Sequence, residues 1–132
     1  MQHNNLKNKQ NNRPRIMTAI TPSGTPHLGN YKGMYEPMIK LANQTNNDSF
    51  CMIADYHSLI KLWDAKAREE HIYEIAATWL ALGLDPEQSA LYRQSNIPEI
   101  AELCWIISTV AAKGLLNRAH AYKAKLDENI LS

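Results

Sequence analysis

The chain has 132 residues, of which 45% are hydrophobic and 20% are charged, and its formal net charge is +1. This composition is ordinary for a globular protein, and the length provides for one domain with one core. A nearly neutral chain has no overall field that draws it to nucleic acid or to a membrane surface. The sequence has no run of 18 apolar residues and no signal-peptide pattern, so we expect a cytoplasmic protein.

The first 14 residues are rich in Asn and Gln and contain basic but no acidic side chains. A segment with so few apolar residues cannot bury enough surface to offset the entropy of ordering it. We therefore predict a disordered basic tail over residues 1–14 and folded structure over residues 15–132.

Three apolar runs predict strands, at residues 15–20, 49–54 and 89–94. Residues 29–41 have the apolar spacing of a helix, which Pro37 should kink or divide. A second helix is predicted to begin after Asp64, a favourable N-cap residue, and to end at Gly83. Because strand and helix alternate, the pattern predicts an α/β fold with a parallel sheet and crossover helices.

A further helix is predicted to begin at Pro98 and end at Gly114, followed by a basic amphipathic piece over about residues 115–125. The apolar stripe of the helix that begins at Pro98 should face inward. Both cysteines lie in apolar runs without partners at metal-ligand spacing, so we expect reduced core residues. The side chains assigned to the core in this way are Trp63, Trp79, Trp105, Leu103, Ile106, Ile107, Val110, Cys51 and Cys104.

Polar residues follow each predicted strand. Thr21 and Ser23 follow the first, Asp55 and His57 follow the second, and Gln-Ser-Asn at residues 94–96 follows the third. Ligands of open parallel sheets bind beyond the carboxyl ends of the strands. The convergence of these residues at one edge therefore predicts a ligand site there.

The most informative segment is residues 21–31, Thr-Pro-Ser-Gly-Thr-Pro-His-Leu-Gly-Asn-Tyr, at a strand-to-helix junction. The free N–H groups of a helix N-terminus bind phosphate, and His27 and Asn30 add side-chain donors to the same place. Gly29 lets a ligand approach the backbone closely. We predict a phosphate-binding turn.

Each of these residues also has a structural interpretation. Asn30 could be a helix cap, which is compatible with ligand binding, and Thr21 and Ser23 could be turn residues. Asp55 could cap the segment that follows it, and His57 could be a buried imidazole with its hydrogen bonds satisfied.

Pro-His-Leu-Gly-Asn at residues 26–30 resembles the "HIGH" motif of class I aminoacyl-tRNA synthetases. Further stretches resemble the tryptophanyl-tRNA synthetase family: Thr-Pro-Ser-Gly at 21–24, Ala-Asp-Tyr-His-Ser-Leu at 54–59, Leu-Ala-Leu-Gly-Leu-Asp-Pro at 80–86, Tyr-Arg-Gln-Ser at 92–95 and Lys-Gly-Leu-Leu-Asn-Arg-Ala-His-Ala-Tyr-Lys at 113–123. The resemblance implies a Rossmann-like (HUP-type) sheet, the N-terminal half of a class I synthetase catalytic domain.

The same resemblance implies a reaction. ATP activates L-tryptophan to tryptophanyl-adenylate, which then acylates tRNA(Trp); Mg²⁺ enters with the nucleotide without a protein metal site, and the enzyme is a homodimer. The residues implied to bind ATP are Thr21, Pro22, Ser23, His27, Gly29, Asn30 and Lys125, with His27 and Asn30 catalytic. The residues implied to bind tryptophan are Met17, Asp55 and His57.

Family members are longer, and Lys-Met-Ser-Lys-Ser does not occur in these 132 residues. We therefore expect an N-terminal fragment that lacks the anticodon-binding domain, binds nucleotide weakly and does not charge tRNA alone. Two alternatives stay open: a small nucleotidyltransferase of the same superfamily, and a truncated, non-catalytic paralogue that serves as a binding module. Asn30 argues against the first, because such enzymes have a second His there.

Overall fold

The computed structural model describes residues 13–127, without the side chains of Ala121, Lys125 and Asp127. The described part of the chain divides into two compact units, with the boundary between Asn96 and Ile97. Apart from Arg13 and Pro14, the predicted tail lies outside the described residues. Within the described part of the chain, every helix is too short or too polar to cross a membrane.

The first unit is built on a three-stranded sheet. Its strands are β1 (Arg15–Ile20), β2 (Asp48–Ile53) and β3 (Ser89–Arg93), in the order β1-β2-β3. Both neighbouring pairs are parallel, and their register aligns Ile20 with Ile53 and Ile53 with Arg93. The predicted parallel sheet is confirmed, and the three carboxyl ends meet at one edge.

The first crossover is one helical segment with an irregular middle. It consists of α1 (Leu28–Asn30), a π turn (Tyr31–Tyr35) and α2 (Glu36–Ala42). Within the turn, the Glu36 N–H donates to the Tyr31 carbonyl, five residues back. Pro37 has no N–H with which to continue the ordinary α pattern, so the helix takes the wider turn just before it. The proline does not divide the helix, which continues through Pro37 in α2; the irregularity is the π turn that precedes it.

The second crossover contains α3 (Asp55–Ser58) and α4 (Ala65–Ala81). The Asp64 carboxylate accepts the N–H groups of Lys66 and Ala67 at 2.9 and 3.1 Å, which confirms the predicted N-cap. Such a cap stabilises a helix by about 1 kcal/mol. Gly83 follows the helix at φ +97°, a left-handed conformation that L side chains rarely adopt.

Both crossovers pack on one face of the sheet and form its core. At the centre, the rings of Tyr35 and Trp79 meet edge to face, 4.7 Å apart at 68°. Burial raises the pKa of Tyr35 to about 12, so its hydroxyl stays protonated at neutral pH. The other buried members of this cluster are Met38, Ala42, Cys51, Ile53, Ile72, Ile75 and Leu84.

The second unit contains α5 (Pro98–Val110), α6 (Lys113–Leu116) and α7 (His120–Asp127). The helix start at Pro98 is confirmed. Its predicted end at Gly114 is wrong, because α5 stops at Val110 and Gly114 lies inside α6. The hydroxyls of Ser108 and Thr109 donate to carbonyls three residues back, each at 2.7 Å. Such side-chain bonds compete with the helical ladder and favour its end.

Several residues predicted to lie in the core are exposed. Trp63 is 80% exposed, and Trp105 is 74% exposed. The α5 stripe and Cys104 are also exposed, because the described part of residues 97–127 contains no element that covers this helix. Cys51 is buried as predicted, and burial raises its pKa to about 11, which keeps the thiol protonated. The stripe residues with exposed side chains are Leu103, Ile106, Ile107 and Val110.

Candidate functional site

The turn after β1 forms a small cavity at the carboxyl edge of the sheet. The cavity has a volume of about 210 Å³, and its lining includes Thr21, Ser23, His27 and Asn30. Pro22 is fully buried, so it anchors the turn without lining the cavity. Four residues predicted to bind a nucleotide are therefore brought to one cavity by the strand-to-helix junction.

His27 and Asn30 hold each other in a reciprocal cap. Nδ1 of His27 accepts the Gly29 N–H at 3.1 Å, and Oδ1 of Asn30 accepts the His27 N–H at 3.0 Å. Because a backbone N–H can only donate, Nδ1 is unprotonated and the ring proton lies on Nε2. The cap therefore leaves the His27 Nε2–H and the Asn30 amide N–H groups as donors. Neither has a partner among the described groups of residues 13–127, which leave out the side chains of Ala121, Lys125 and Asp127.

Gly29 is favoured by the close approach of the His27 ring. A Cβ added at Gly29 would lie 3.0 Å from Cε1 and 3.1 Å from Nδ1 of His27. From the sequence, the glycine was expected to make room for a ligand beside the backbone. The structure adds a second reason, because the imidazole itself occupies that space.

Replacing Gly29 by alanine is expected to displace the imidazole and break the cap, lowering the free energy of unfolding by about 1 kcal/mol. Nitrogen chemical shifts of the ring would then lose the signature of a fixed Nε2–H tautomer. Gly33→Ala is the matched control, since a Cβ there meets nothing within 4 Å. That helical substitution should stabilise the protein by about 0.5–1 kcal/mol. A fixed tautomer that persists in Gly29→Ala would contradict the argument.

A second cavity adjoins the first across Thr21 and Ser23. It has a volume of about 290 Å³, and its lining also includes His57, Ser58 and Lys61. Nδ1 of His57 lies 3.1 Å from Oε1 of Gln94, which is 6% exposed. An imidazole that follows β2 is thus fixed by an amide that follows β3, beside the turn after β1.

Asp55 is buried at the same edge, and its carboxylate is occupied by neighbouring groups. It accepts the Ser95 N–H at 3.0 Å and the Ser95 hydroxyl at 2.5 Å, and Nε of Arg93 lies 3.4 Å away. The Arg93 guanidinium also forms a two-point ion pair with Glu69 of α4, at 3.2 Å for each bond. Asp55 therefore ties the end of β2 to the turn after β3, and it lines neither cavity.

The remaining predicted site residues lie elsewhere. Met17 is 60% exposed in the middle of β1, in register with Phe50, and it lines neither cavity. The side chain of Lys125 lies outside the described residues. The predictions did not include Arg93 and Glu69. Arg93 could have been identified from its position, because it is a charged residue at the end of an otherwise apolar strand.

Neutral donors dominate the first cavity: hydroxyls, an imidazole N–H and an amide. This set suits phosphate oxygens, which accept hydrogen bonds, rather than a cation. Within the part of the chain that the structure describes, no group of three His, Cys, Asp or Glu side chains converges as metal ligands.

Comparison with known proteins gives the family. The model of the tRNA synthetases class I (W and Y) matches residues 8–131. A tryptophan–tRNA ligase of Pseudomonas putida is 59% identical over 116 residues, which cover 88% of this chain and 26% of that protein. The chain thus spans about a quarter of the length of the curated relatives that it matches.

Solved structures agree with this match. The tryptophanyl-tRNA synthetase of Campylobacter jejuni superposes with a TM-score of 0.80 at 37% identity, over 89% of this chain and 36% of that one. The same enzyme in complex with ADP and tryptophan superposes with a TM-score of 0.77 at 37% identity, over 86% of this chain and 35% of that one. The Rossmann-like fold expected from the sequence is confirmed.

Proposed function

Because the chain belongs to the family of class I tRNA synthetases for W and Y, we propose that it supplies the nucleotide-binding part of a tryptophan–tRNA ligase. In the proposed reaction, the carboxylate of L-tryptophan attacks the α-phosphate of ATP, and pyrophosphate leaves. The tryptophanyl-adenylate then transfers its acyl group to tRNA(Trp). The observation that carries the proposal is the pair of donors that the cap of His27 and Asn30 directs away from the backbone.

The proposed role of the phosphate turn is to stabilise charge. Negative charge builds on the phosphate oxygens as the carboxylate attacks, and fixed donors stabilise it without having to reorganise. His27 and Asn30 are the proposed catalytic donors, and Thr21 and Ser23 contact the nucleotide from the same cavity. Gly29 acts through the imidazole that it accommodates, and Pro22 anchors the turn. Lys125 is included on the strength of the resemblance alone.

Tryptophan is proposed to bind on the other side of Thr21 and Ser23. His57 is the proposed contact residue, because it lines the adjoining cavity. Asp55 is proposed to act by positioning, since its carboxylate is engaged by Ser95 and Arg93. Met17 is proposed to form part of the apolar wall of the tryptophan site, and its exposed thioether supports this role. The Campylobacter jejuni neighbour, which holds ADP and tryptophan, supports ATP and tryptophan as the ligands.

Three further properties belong to the same proposal. Mg²⁺ enters bound to the ATP phosphates, which the neutral donors of the turn are suited to hold. The protein assembles as a homodimer, which is supported by the exposed apolar side chains of α5, including Trp105 and Val110. The location is the cytoplasm, where charged tRNA supplies translation.

The test is a calorimetric titration of Mg-ATP into the wild type and His27→Ala. Loss of a hydrogen bond to a charged group should weaken affinity about 10- to 100-fold. His27→Asn separates the donor from the cap, since an Asn oxygen can still accept the Gly29 N–H but offers no Nε2–H. We expect it to keep the thermal stability and lose the affinity. His71, in α4, lines neither cavity, so His71→Ala should bind like the wild type. Unchanged affinity in His27→Ala would refute the assigned phosphate role.

A further inference from the structure

Two imidazoles line the neighbouring cavities of the site, and their hydrogen bonds place the ring protons on opposite nitrogens. Nδ1 of His27 accepts the Gly29 N–H, so the proton of that ring lies on Nε2. Nδ1 of His57 lies 3.1 Å from Oε1 of Gln94. Because an amide oxygen only accepts hydrogen bonds, Nδ1 of His57 carries the proton and donates it. Nε2 of His57 is then an unprotonated acceptor.

Gln94 is held firmly enough to fix the position of that proton. It is 6% exposed, and it lies outside the lining of the His57 cavity. The turn that carries it is tied to Asp55, which accepts the Ser95 N–H at 3.0 Å. The hydrogen bond to Gln94 occupies Nδ1 of His57 and leaves Nε2 without a partner among the groups that the structure describes. A ligand in the cavity can use Nε2, which accepts an N–H or O–H group but not a carboxylate.

The α-ammonium group of tryptophan is the donor that the proposed reaction brings nearest to this nitrogen. The carboxylate has to reach the α-phosphate in the first cavity, which shares Thr21 and Ser23 with the His57 cavity. The ammonium group is bonded to the neighbouring carbon, so it stays near that shared wall, whereas the indole N–H lies at the far end of the side chain. Among the described residues, the lining of the His57 cavity includes no carboxylate, and the exposed Lys61 complements the carboxylate of the amino acid.

Building on the proposed function, we infer that Gln94 is a positioning residue of the tryptophan site. It holds the His57 proton on Nδ1, so that Nε2 accepts the α-ammonium group of tryptophan. The two sides of the site then have opposite polarity, because Nε2–H of His27 donates to phosphate oxygens while Nε2 of His57 accepts from the amino acid. A carboxylate has no proton to offer His57, so the reacting carboxylate is left for the phosphate side.

Nitrogen chemical shifts of the His57 ring test the proton position in the full 132-residue chain without ligand, at about pH 8.5, where an ordinary imidazole is neutral. We expect a protonated Nδ1 in the wild type and a mixture of tautomers in Gln94→Met, which keeps the side-chain length but offers no oxygen. Loss of signals in His57→Gln assigns the ring. Gln88→Met, at an exposed glutamine that lines neither cavity, should keep the wild-type tautomer. A ring proton on Nε2 in the wild type would overturn the inference.

Calorimetric titration of L-tryptophan and of indole-3-propionate, which lacks the ammonium group, tests the contact. The wild type should bind L-tryptophan about tenfold more tightly, and Gln94→Met should reduce this ratio to about threefold. A merely structural role of Gln94 would weaken both ligands and leave the ratio unchanged. 1-Methyl-L-tryptophan keeps the ammonium group but lacks the indole N–H, so Gln94→Met should weaken it as much as L-tryptophan. An affinity for 1-methyl-L-tryptophan that does not change in Gln94→Met would assign Nε2 to the indole and overturn the ammonium contact.

The two measurements separate this inference from the proposed function. Thermal melts establish that Gln94→Met is folded. Tryptophan that does not bind to the wild type would refute the proposed function and the ammonium contact together. Tryptophan that binds with an unchanged ratio in Gln94→Met, or to a wild type with the His57 proton on Nε2, would overturn the role of Gln94 and leave the proposed function in place.

Discussion

Replacing Trp79 by alanine is expected to lower the free energy of unfolding by about 3–5 kcal/mol, the largest stability effect that we expect from a single substitution. Trp79 is 0% exposed, and its ring meets Tyr35 edge to face at 4.7 Å. Removal of the indole would leave a cavity between the two crossover helices and the sheet. Those helices pack beside the turn after β1, so we expect the loss to reach the candidate site. Denaturant unfolding, followed by circular dichroism, measures the change.

Trp63→Ala is the matched control, with an expected change within about 0.5 kcal/mol. Both substitutions remove an indole, but the Trp63 side chain is 80% exposed just before the α4 cap. A comparable loss of stability in the two variants would contradict the assignment of the core. Since sequence pattern assigned both residues to the interior, the pair also measures how far the structure corrects that assignment.

The sheet and its crossovers were predictable because their signals are local. β1 is defined by a short apolar run, the N-terminus of α4 by the Asp64 cap, and its C-terminus by Gly83. Pro37 predicted an irregularity in the first crossover helix, because proline has no N–H for the helical hydrogen bond. The exposure of Trp63 and Trp105 could not be predicted in this way. Apolar spacing gives the orientation of a face, whereas burial depends on whether another element covers it.

The candidate site was predictable to the level of the strand edge, because parallel strands bring their carboxyl ends together. The hydrogen bonds that individual atoms make at this edge could not be predicted. The sequence gives no sign that Nδ1 of His27 is used by the Gly29 N–H, which fixes the ring proton on Nε2. Nor does it show that Asp55 is engaged by Ser95, 40 residues further along the chain. Such pairings depend on tertiary structure rather than on local spacing.

Asp55→Ala is expected to lower the free energy of unfolding by about 1–3 kcal/mol, since it removes the buried acceptor of two hydrogen bonds from the half-buried Ser95. The loss falls mainly on the Ser95 N–H and hydroxyl, which donate to the carboxylate. Arg93, with 37% of its side chain exposed, keeps its ion pair with Glu69 and water access. Asp55→Asn, which retains an oxygen for the Ser95 N–H, should fall between the alanine variant and the wild type.

The same variants separate a positioning role from a substrate contact. If Asp55 positions the turn after β3, its loss also releases Gln94 and with it His57, so tryptophan affinity and stability fall together. A residue that only contacts the substrate would lower affinity and leave stability intact. Glu69→Gln tests the outer part of the network and should cost no more than about 1 kcal/mol, because more than a third of each side chain in that ion pair is exposed. Chemical denaturation of the three variants measures their stability, and tryptophan titration measures their affinity. A full loss of affinity at unchanged stability in Asp55→Ala would show instead that the carboxylate contacts the substrate.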